Sequence, residues 1–358
     1  MNGNTMLRPF VLTLFAVAAA VAALPPSAVA LDAPRPLNAR VVLPPAEGPA
    51  QAVEALAGES AGSAWLGYSV PIVAGDHEMC CSVNDLPGVC PLGGHAGSSI
   101  TRHREIRTAR GSADSLSVFV RLRSGAVSEV RFYDGSCSVD AAGATYYPLD
   151  DVDPAESVAF LAPLIERWSG DLGEEALAAL ALHADDAAGR ALEGFTASSR
   201  PEELRERAAF WLGVSRGAEG LELLARMLRD DPSPSVREQV VFAVYVGEDP
   251  AAAGILIDAA REDESPGVRA AALFWLGQTA GDRVAGELRE AATRDPDAEV
   301  REAAVFGLSQ LPADEAVPAL IDAARTSRHD EVRRMATFWL GQSGDPRALE
   351  FFEELLAR

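Results

Sequence analysis

The sequence predicts a mainly α-helical protein: a right-handed α-solenoid of about six helical pairs, preceded by a small disulfide-stapled domain of α+β or β-rich character. Three observations predict it. A Val-Arg or Leu-Arg pair recurs every 32 residues, at Leu204-Arg205, Val236-Arg237, Val268-Arg269, Val300-Arg301 and Val332-Arg333. From about Asp151 the apolar residues follow a helical period. All four cysteines precede that point.

Residues 1–30 read as a secretory signal peptide. Arg8 gives a weakly positive start, Phe10–Leu24 an apolar run, and Ala28-Val29-Ala30 a small-residue cleavage site. The run is shorter than the roughly 20 residues that span a bilayer. No stable membrane anchor is therefore expected after cleavage near Ala30, and the mature chain is expected to be periplasmic or secreted. Residues 31–62, rich in Ala and Pro, read as a flexible linker.

Residues 63–150 read as the small cysteine-containing domain. Leu116, Val118, Val120 and Leu122 alternate with Ser117, Phe119, Arg121 and Arg123, Ser124-Gly125 mark a turn, and Val127–Tyr133 return. That pattern is a β-hairpin. In an exported small domain, Cys80, Cys81, Cys90 and Cys137 suggest two disulfides. Adjacent cysteines rarely bridge each other, so Cys80 and Cys81 each pair with Cys90 or Cys137, in an order the sequence leaves open. The rival use of these residues is a metal site from His77, Cys80, Cys90 and His95, disfavoured by an oxidising compartment.

Residues 151–358 read as the solenoid. Five residues after each repeating Arg stands a Phe: Phe210, Phe242, Phe274, Phe306 and Phe338. Trp211, Trp275 and Trp339 follow three of them, and on a helical wheel the tryptophans fall on the apolar arc, Trp275 together with Val268, Ala272 and Leu276. All eight rings are expected in the repeat core. Ser233, Ser265, Asp297 and His329 sit where the first helix of each pair needs an N-cap, with Pro234 and Pro266 at the next position. Asp249, Asp282, Asp314 and Asp345 occupy the matching places before the second helices. Ser157–Trp168 is expected to cap the N-terminal end of the stack, and Glu350, Glu353 and Glu354 to face solvent at the other.

The Phe-Trp-Leu-Gly-Gln signature and the Val-Arg opening resemble the HEAT-like repeats named after phycobilisome lyases, found also in exported bacterial proteins. That resemblance implies an α-solenoid in which Arg237, Arg269, Arg301 and Arg333 pair with Asp249, Asp282, Asp314 and Asp345 as a structural ladder. Read from the residues alone, the same aspartates serve equally as N-caps. Deoxyhypusine hydroxylases of this repeat style hold iron with His-Glu pairs on their helices. Here the one His-Glu is His77-Glu78, outside the repeats. Phycobilin lyases act in the cytosol, at odds with a signal peptide.

Composition narrows function further. All 31 basic residues are arginine, against 53 acidic ones, for a net charge of −22. With no lysine there is no Schiff-base or P-loop lysine. Residues 151–358 hold 40 acidic residues and 21 arginines, so the acidity belongs to the helical half and nucleic acid is not an expected ligand. Arg102, Arg104, Arg107, Arg110, Arg121, Arg123 and Arg131 make a local basic stretch, read as a solvated hairpin face, a contact with the solenoid or an anion-binding patch. His183 and His103 are read as caps or surface residues. The expected function is a non-enzymatic scaffold for a protein or peptide partner of basic character, with no cofactor. The alternative is a metal-binding or oxidoreductase-type protein with its site in the N-terminal Cys/His segment.

Overall fold

The segment expected as a flexible linker instead enters the fold, with strand β1 (Arg40–Val41) and helix α1 (Pro49–Ala57). The reason is tertiary contact. Ala52 and Leu56, one helical turn apart, are buried, and the backbone of Ala33 donates to Asp150 Oδ1 at 2.8 Å. In this computed structural model the described residues are 31–57, 63–75, 79–83, 86–93, 114–167, 170–279 and 282–357. The expected signal peptide, His77, His95, His103, Arg102, Arg104, Arg107 and Arg110 lie outside them.

Eight further strands follow: β2 (Ser63–Pro71), β3 (Ser82–Val83), β4 (Leu86–Pro87), β5 (Cys90–Pro91), β6 (Ser115–Arg123), β7 (Ala126–Asp134), β8 (Val139–Asp140) and β9 (Thr145–Pro148). Four of them join β1 in one five-stranded sheet, in the order β1-β9-β2-β6-β7. The β6–β7 hairpin pairs Val120 with Val130. It turns through Ser124 and Gly125, both at positive φ, as a tight two-residue hairpin turn requires. A Cβ at Gly125 would also stand 2.5 Å from the carbonyl oxygen of Ala57.

Both faces of this sheet are covered. Leu66, Tyr68, Val70, Leu116, Val118 and Val120 join a core that continues into the helices. Trp65, Phe119, Tyr133 and Tyr146 point the other way, into a second cluster with Cys90, Leu92 and Val139. Two disulfides, Cys80–Cys137 and Cys81–Cys90, staple the cover over that second face.

Thirteen helices complete the described chain: α2 (Pro154–Glu166), α3 (Asp171–Ala181), α4 (Asp186–Phe195), α5 (Glu202–Ser215), α6 (Gly217–Asp230), α7 (Pro234–Val246), α8 (Ala252–Glu262), α9 (Pro266–Leu276), α10 (Asp282–Arg294), α11 (Ala298–Gln310), α12 (Ala313–Thr326), α13 (Asp330–Gln342) and α14 (Pro346–Leu356). From α3 they pair into six helical hairpins. Residues 31–358 form one compact unit, because α3 packs against edge strand β7 and α2 against α3. The sheet thereby closes one end of the stack. At the other end Glu350, Glu353 and Glu354 are exposed, but so are Leu349, Leu355 and Leu356.

Two rows of helices result, and they are not equivalent. In the odd-numbered row, α5 to α13, each helix packs closely on the next, whereas α6, α8, α10, α12 and α14 touch one another sparsely. Glycine permits the close row. A Cβ at Gly213 would lie 2.2 Å from the Ala243 carbonyl oxygen, and one at Gly277 would lie 2.5 Å from Gly307 Cα. The odd-numbered row is therefore the tighter, inner side of the curve.

Candidate functional site

Each repeating arginine is held in a fixed bridge. Arg205 reaches Asp231, Arg237 reaches Asp263, and Arg269 reaches Asp295, each by two hydrogen bonds of 2.8–3.1 Å to a carboxylate 26 residues on. The remaining terminal nitrogen donates to a carbonyl oxygen in the preceding loop, as Arg237 does to Asp231 and Arg269 to Asp263. One aspartate thus receives the previous guanidinium on its carboxylate and the next on its carbonyl, and it also accepts the backbone N–H two residues on. Where position 327 is Ser rather than Asp, Arg301 turns to Glu331, and Arg333 pairs with Asp330 and the Ser327 carbonyl.

This corrects the expected pairing. Asp249 and Asp345 accept backbone N–H groups at the starts of second helices, as N-caps do. Asp314 lies inside the first turn of α12, and Asp282 is the first residue of α10. The true ladder partners were visible as Asp231, Asp263 and Asp295, recurring at 32 residues and always six before the repeating Arg.

A second correction concerns the rings. Trp211 is buried, but Phe210, Phe242, Trp275, Phe306 and Trp339 are only partly covered, while Phe274 is 37 % and Phe338 56 % exposed. The buried arc of α9 is Val268, Arg269, Ala272, Leu273 and Leu276. At 100° per residue, Phe274 falls on roughly the opposite side. Phe210, Trp275 and Trp339 still pack against the core, so the ring positions lie at its edge, and it is Phe274 and Phe338 that open to the surface.

The rings form an unbroken chain across the odd-numbered helices. Phe210 stacks on Phe242 (6.2 Å between centroids), Phe242 meets Trp275 (4.9 Å), and Tyr245 stacks on the same indole (4.5 Å). Phe274 lies edge-on to Trp275 and stacks on Phe306 (5.3 Å, 2° between planes), which meets Trp339 (5.4 Å). One helical turn before each Phe stands Glu206, Glu238, Ala270, Glu302 or Arg334. One turn after stand Gln278, just past the end of α9, and Gln310 and Gln342, the last residues of α11 and α13, all exposed. Equivalent positions on parallel helices share a face, so an aromatic stripe runs between a mainly acidic row and an amide row. A contiguous apolar strip of this kind, with polar margins, is what interaction surfaces look like.

Other candidate groups go elsewhere. Cys80 and Cys90 belong to different disulfides, which removes both thiolates from the alternative metal set. Arg121 and Arg131 pair with Glu129 on the hairpin, and Arg121 stands over the Trp65 ring at 5.4 Å. His183, read from sequence as a cap or surface residue, is fully buried. Its Nδ1 lies 2.7 Å from the Ala179 carbonyl oxygen and its Nε2 lies 2.8 Å from Ser157 Oγ, itself 2.9 Å from the Tyr68 hydroxyl. A carbonyl can only accept, so Nδ1 carries the proton and Nε2 accepts. Burial lowers the His183 pKa to about 4, keeping the ring neutral. On the other side of the even-numbered row, a cleft of about 570 Å³ between α6 and α8 is lined by Leu228, Ile255, Asp258, Glu262 and Glu264.

The stacked helical pairs have a counterpart among known families. A family model for HEAT repeats matches residues 190–277, 221–302, 255–340 and 285–358. Residues 190–358 are HEAT repeats. No curated protein matches the sequence. Among solved structures, the HEAT solenoid is similar to YibA of Escherichia coli (20 % identity, 56 % of this chain and 76 % of that one, TM-score 0.38). It is also similar to the CpcE–CpcF complex of phycocyanin lyase from a Nostoc species (23 %, 43 % and 99 %, 0.35) and to human deoxyhypusine hydroxylase (24 %, 56 % and 77 %, 0.25).

Proposed function

We propose that this chain is an exported, non-enzymatic scaffold whose acidic HEAT solenoid holds a protein or peptide partner of basic character. The observation that carries the reading is the half-exposed chain of rings on the inner row, from Phe210 to Phe338, with Glu206, Glu238 and Glu302 along one margin. Apolar rings supply area and the carboxylates supply steering toward positive charge, an attraction that weakens as salt rises. The same surplus of negative charge opposes binding of nucleic acid. Export is supported by the leader-like residues 1–30 and by two disulfides, which persist in oxidising compartments.

Two measurements test this. N-terminal sequencing of the protein from the cell envelope and medium should begin at Leu31; a start at Met1 would remove the export half. A photo-crosslinking residue placed at Gln310, on the inner row, should capture a partner that the same residue at Glu262, on the outer row, does not. Equal capture at both positions, or capture at neither, would overturn the scaffold half.

A further inference from the structure

The chemistry of the stripe specifies the form of its occupant. We propose that it seats an extended, proline-rich segment in the polyproline II conformation, bearing Arg at every third position; this rests on the scaffold reading above. Three features of the surface lead there.

Spacing comes first. Neighbouring packed helices stand about 8–10 Å apart, and one turn of polyproline II is three residues of about 3.1 Å each. A peptide crossing the odd-numbered helices therefore advances by close to one turn per repeat. The same edge of the peptide meets a ring at every helix. Proline rings on flat aromatic side chains are the contact that other aromatic-lined grooves use for such ligands, and Phe274 and Phe338 present the most open rings here.

Hydrogen bonding comes second. Polyproline II leaves its carbonyl groups without internal partners. Gln278, Gln310 and Gln342 place exposed amides at or just past the C-terminal ends of α9, α11 and α13, and although Gln310 gives one N–H to Ser309 Oγ, their other N–H groups can donate to such carbonyls. A folded helix has already spent its carbonyls and gains nothing from this row.

Charge comes third. With one edge of the threefold peptide on the rings and its backbone toward the amides, a second edge faces the opposite margin. There Glu206, Glu238 and Glu302 stand one turn before the rings, with exposed Glu203 and Glu299 a turn further out. A guanidinium on that edge can pair with a carboxylate and lie against a ring face, two favourable contacts from one side chain. Ala270 leaves the margin neutral at α9 and Arg334 interrupts it at α13, so the basic positions align with carboxylates on α5, α7 and α11.

The test uses the full mature chain and fluorescently labelled peptides of about fifteen residues, or five turns. A (Pro-Pro-Arg)n probe is expected to bind about tenfold more tightly than (Gly-Ser-Arg)n, and (Pro-Pro-Glu)n is expected not to bind. The double variant Phe274→Ser, Phe338→Ser touches the two most exposed rings, so melting should hold while affinity for (Pro-Pro-Arg)n drops about tenfold. Quenching or enhancement of Trp275 and Trp339 emission on titration gives a second readout, placing the probe on the stripe. Equal affinity for (Pro-Pro-Arg)n and (Gly-Ser-Arg)n would overturn the proposal, as would undiminished binding by the double variant. If Gln310 crosslinks a partner yet (Pro-Pro-Arg)n does not bind, the peptide class is wrong and the scaffold stands. If Gln310 captures nothing, both fall.

Discussion

Arg205 and Asp231, 26 residues apart, meet through two parallel hydrogen bonds of 2.8 and 3.0 Å with both side chains almost wholly excluded from solvent, 4 % and 3 % exposed. A planar fork matches a carboxylate in this way and an ammonium does not. Removing one partner strands a buried charge, which costs about 3–5 kcal/mol, whereas replacing both by apolar groups is often close to neutral. Arg205→Leu should therefore lower the denaturation midpoint far more than the double change Arg205→Leu, Asp231→Leu. Arg333→Leu serves as the control, because Arg333 and its partner Asp330 are 39 % and 73 % exposed. Its effect should stay below about 1 kcal/mol. Urea denaturation of the four proteins decides it; equal losses for Arg205→Leu and Arg333→Leu would contradict the ladder's role.

The inner row also predicts opposite outcomes for two glycines. Gly277→Ala drives a methyl to within 2.5 Å of Gly307 Cα, backbone against backbone, with no flexible side chain to yield. Overpacking of this kind costs about 1–3 kcal/mol. Gly286 in α10 has nothing within 4 Å of its missing Cβ, so Gly286→Ala should stabilise by roughly 0.5–1 kcal/mol through helix propensity. Paired thermal melts showing the same sign for both substitutions would refute the close approach of α9 and α11.

The two corrections share a cause. Periodicity names which residues are equivalent, and it did so well enough to place six helical pairs and the N-cap positions of four first helices, Ser233, Ser265, Asp297 and His329. It does not say which equivalent set touches the neighbouring pair. Asp263 and Asp282 are both recurring acids near helix starts, and only the fold reveals that Asp263 faces Arg237. Phe274 recurs as faithfully as Val268, yet one lies on the open face and the other in the core. A wheel centred on the buried arginine slot finds the open face. The N-terminal segment was harder, since a two-residue strand and a nine-residue helix carry too few periods to stand out. The His183 contact with Ser157 joins residues from different elements and leaves no spacing to read.

The two disulfides should differ in weight. Cys80–Cys137 closes a separation of 57 residues and Cys81–Cys90 one of 9. Under the chain-entropy account the longer loop stabilises by about 4 kcal/mol and the shorter by about 3. The variant Cys80→Ser, Cys137→Ser should accordingly melt below Cys81→Ser, Cys90→Ser. Both changes loosen the cover over Trp65 and Phe119, so Trp emission should shift red while the helical far-UV signal persists. Loss of the helical signal in either variant would mean the sheet's outer cover is needed for the solenoid to fold.

One buried and one half-buried group set opposing pH dependences. His183 has a folded pKa of about 4, lowered chiefly by desolvation, against 6.5 when exposed. The unfolded chain binds its proton first, so this stabilisation is whole above pH 6.5 and drains as pH falls toward 4, by about 3 kcal/mol. Glu175, on α3 against β7, is raised to about 7 by desolvation despite the nearby Arg131. Here the folded state binds the proton first, so acidification from pH 7 to 4.5 stabilises. Between pH 4.5 and 6.5 the two slopes partly cancel in the native protein. Glu175→Gln should expose the His183 slope, giving stability that falls steadily through that window. His183→Asn should leave the Glu175 slope alone, giving stability that rises on acidification. Denaturation midpoints at half-unit pH steps for both variants, with an NMR titration of His183 in the folded state, check the assignment. A folded His183 that titrates near 6.5 would show that the Ser157–His183 contact is open to water.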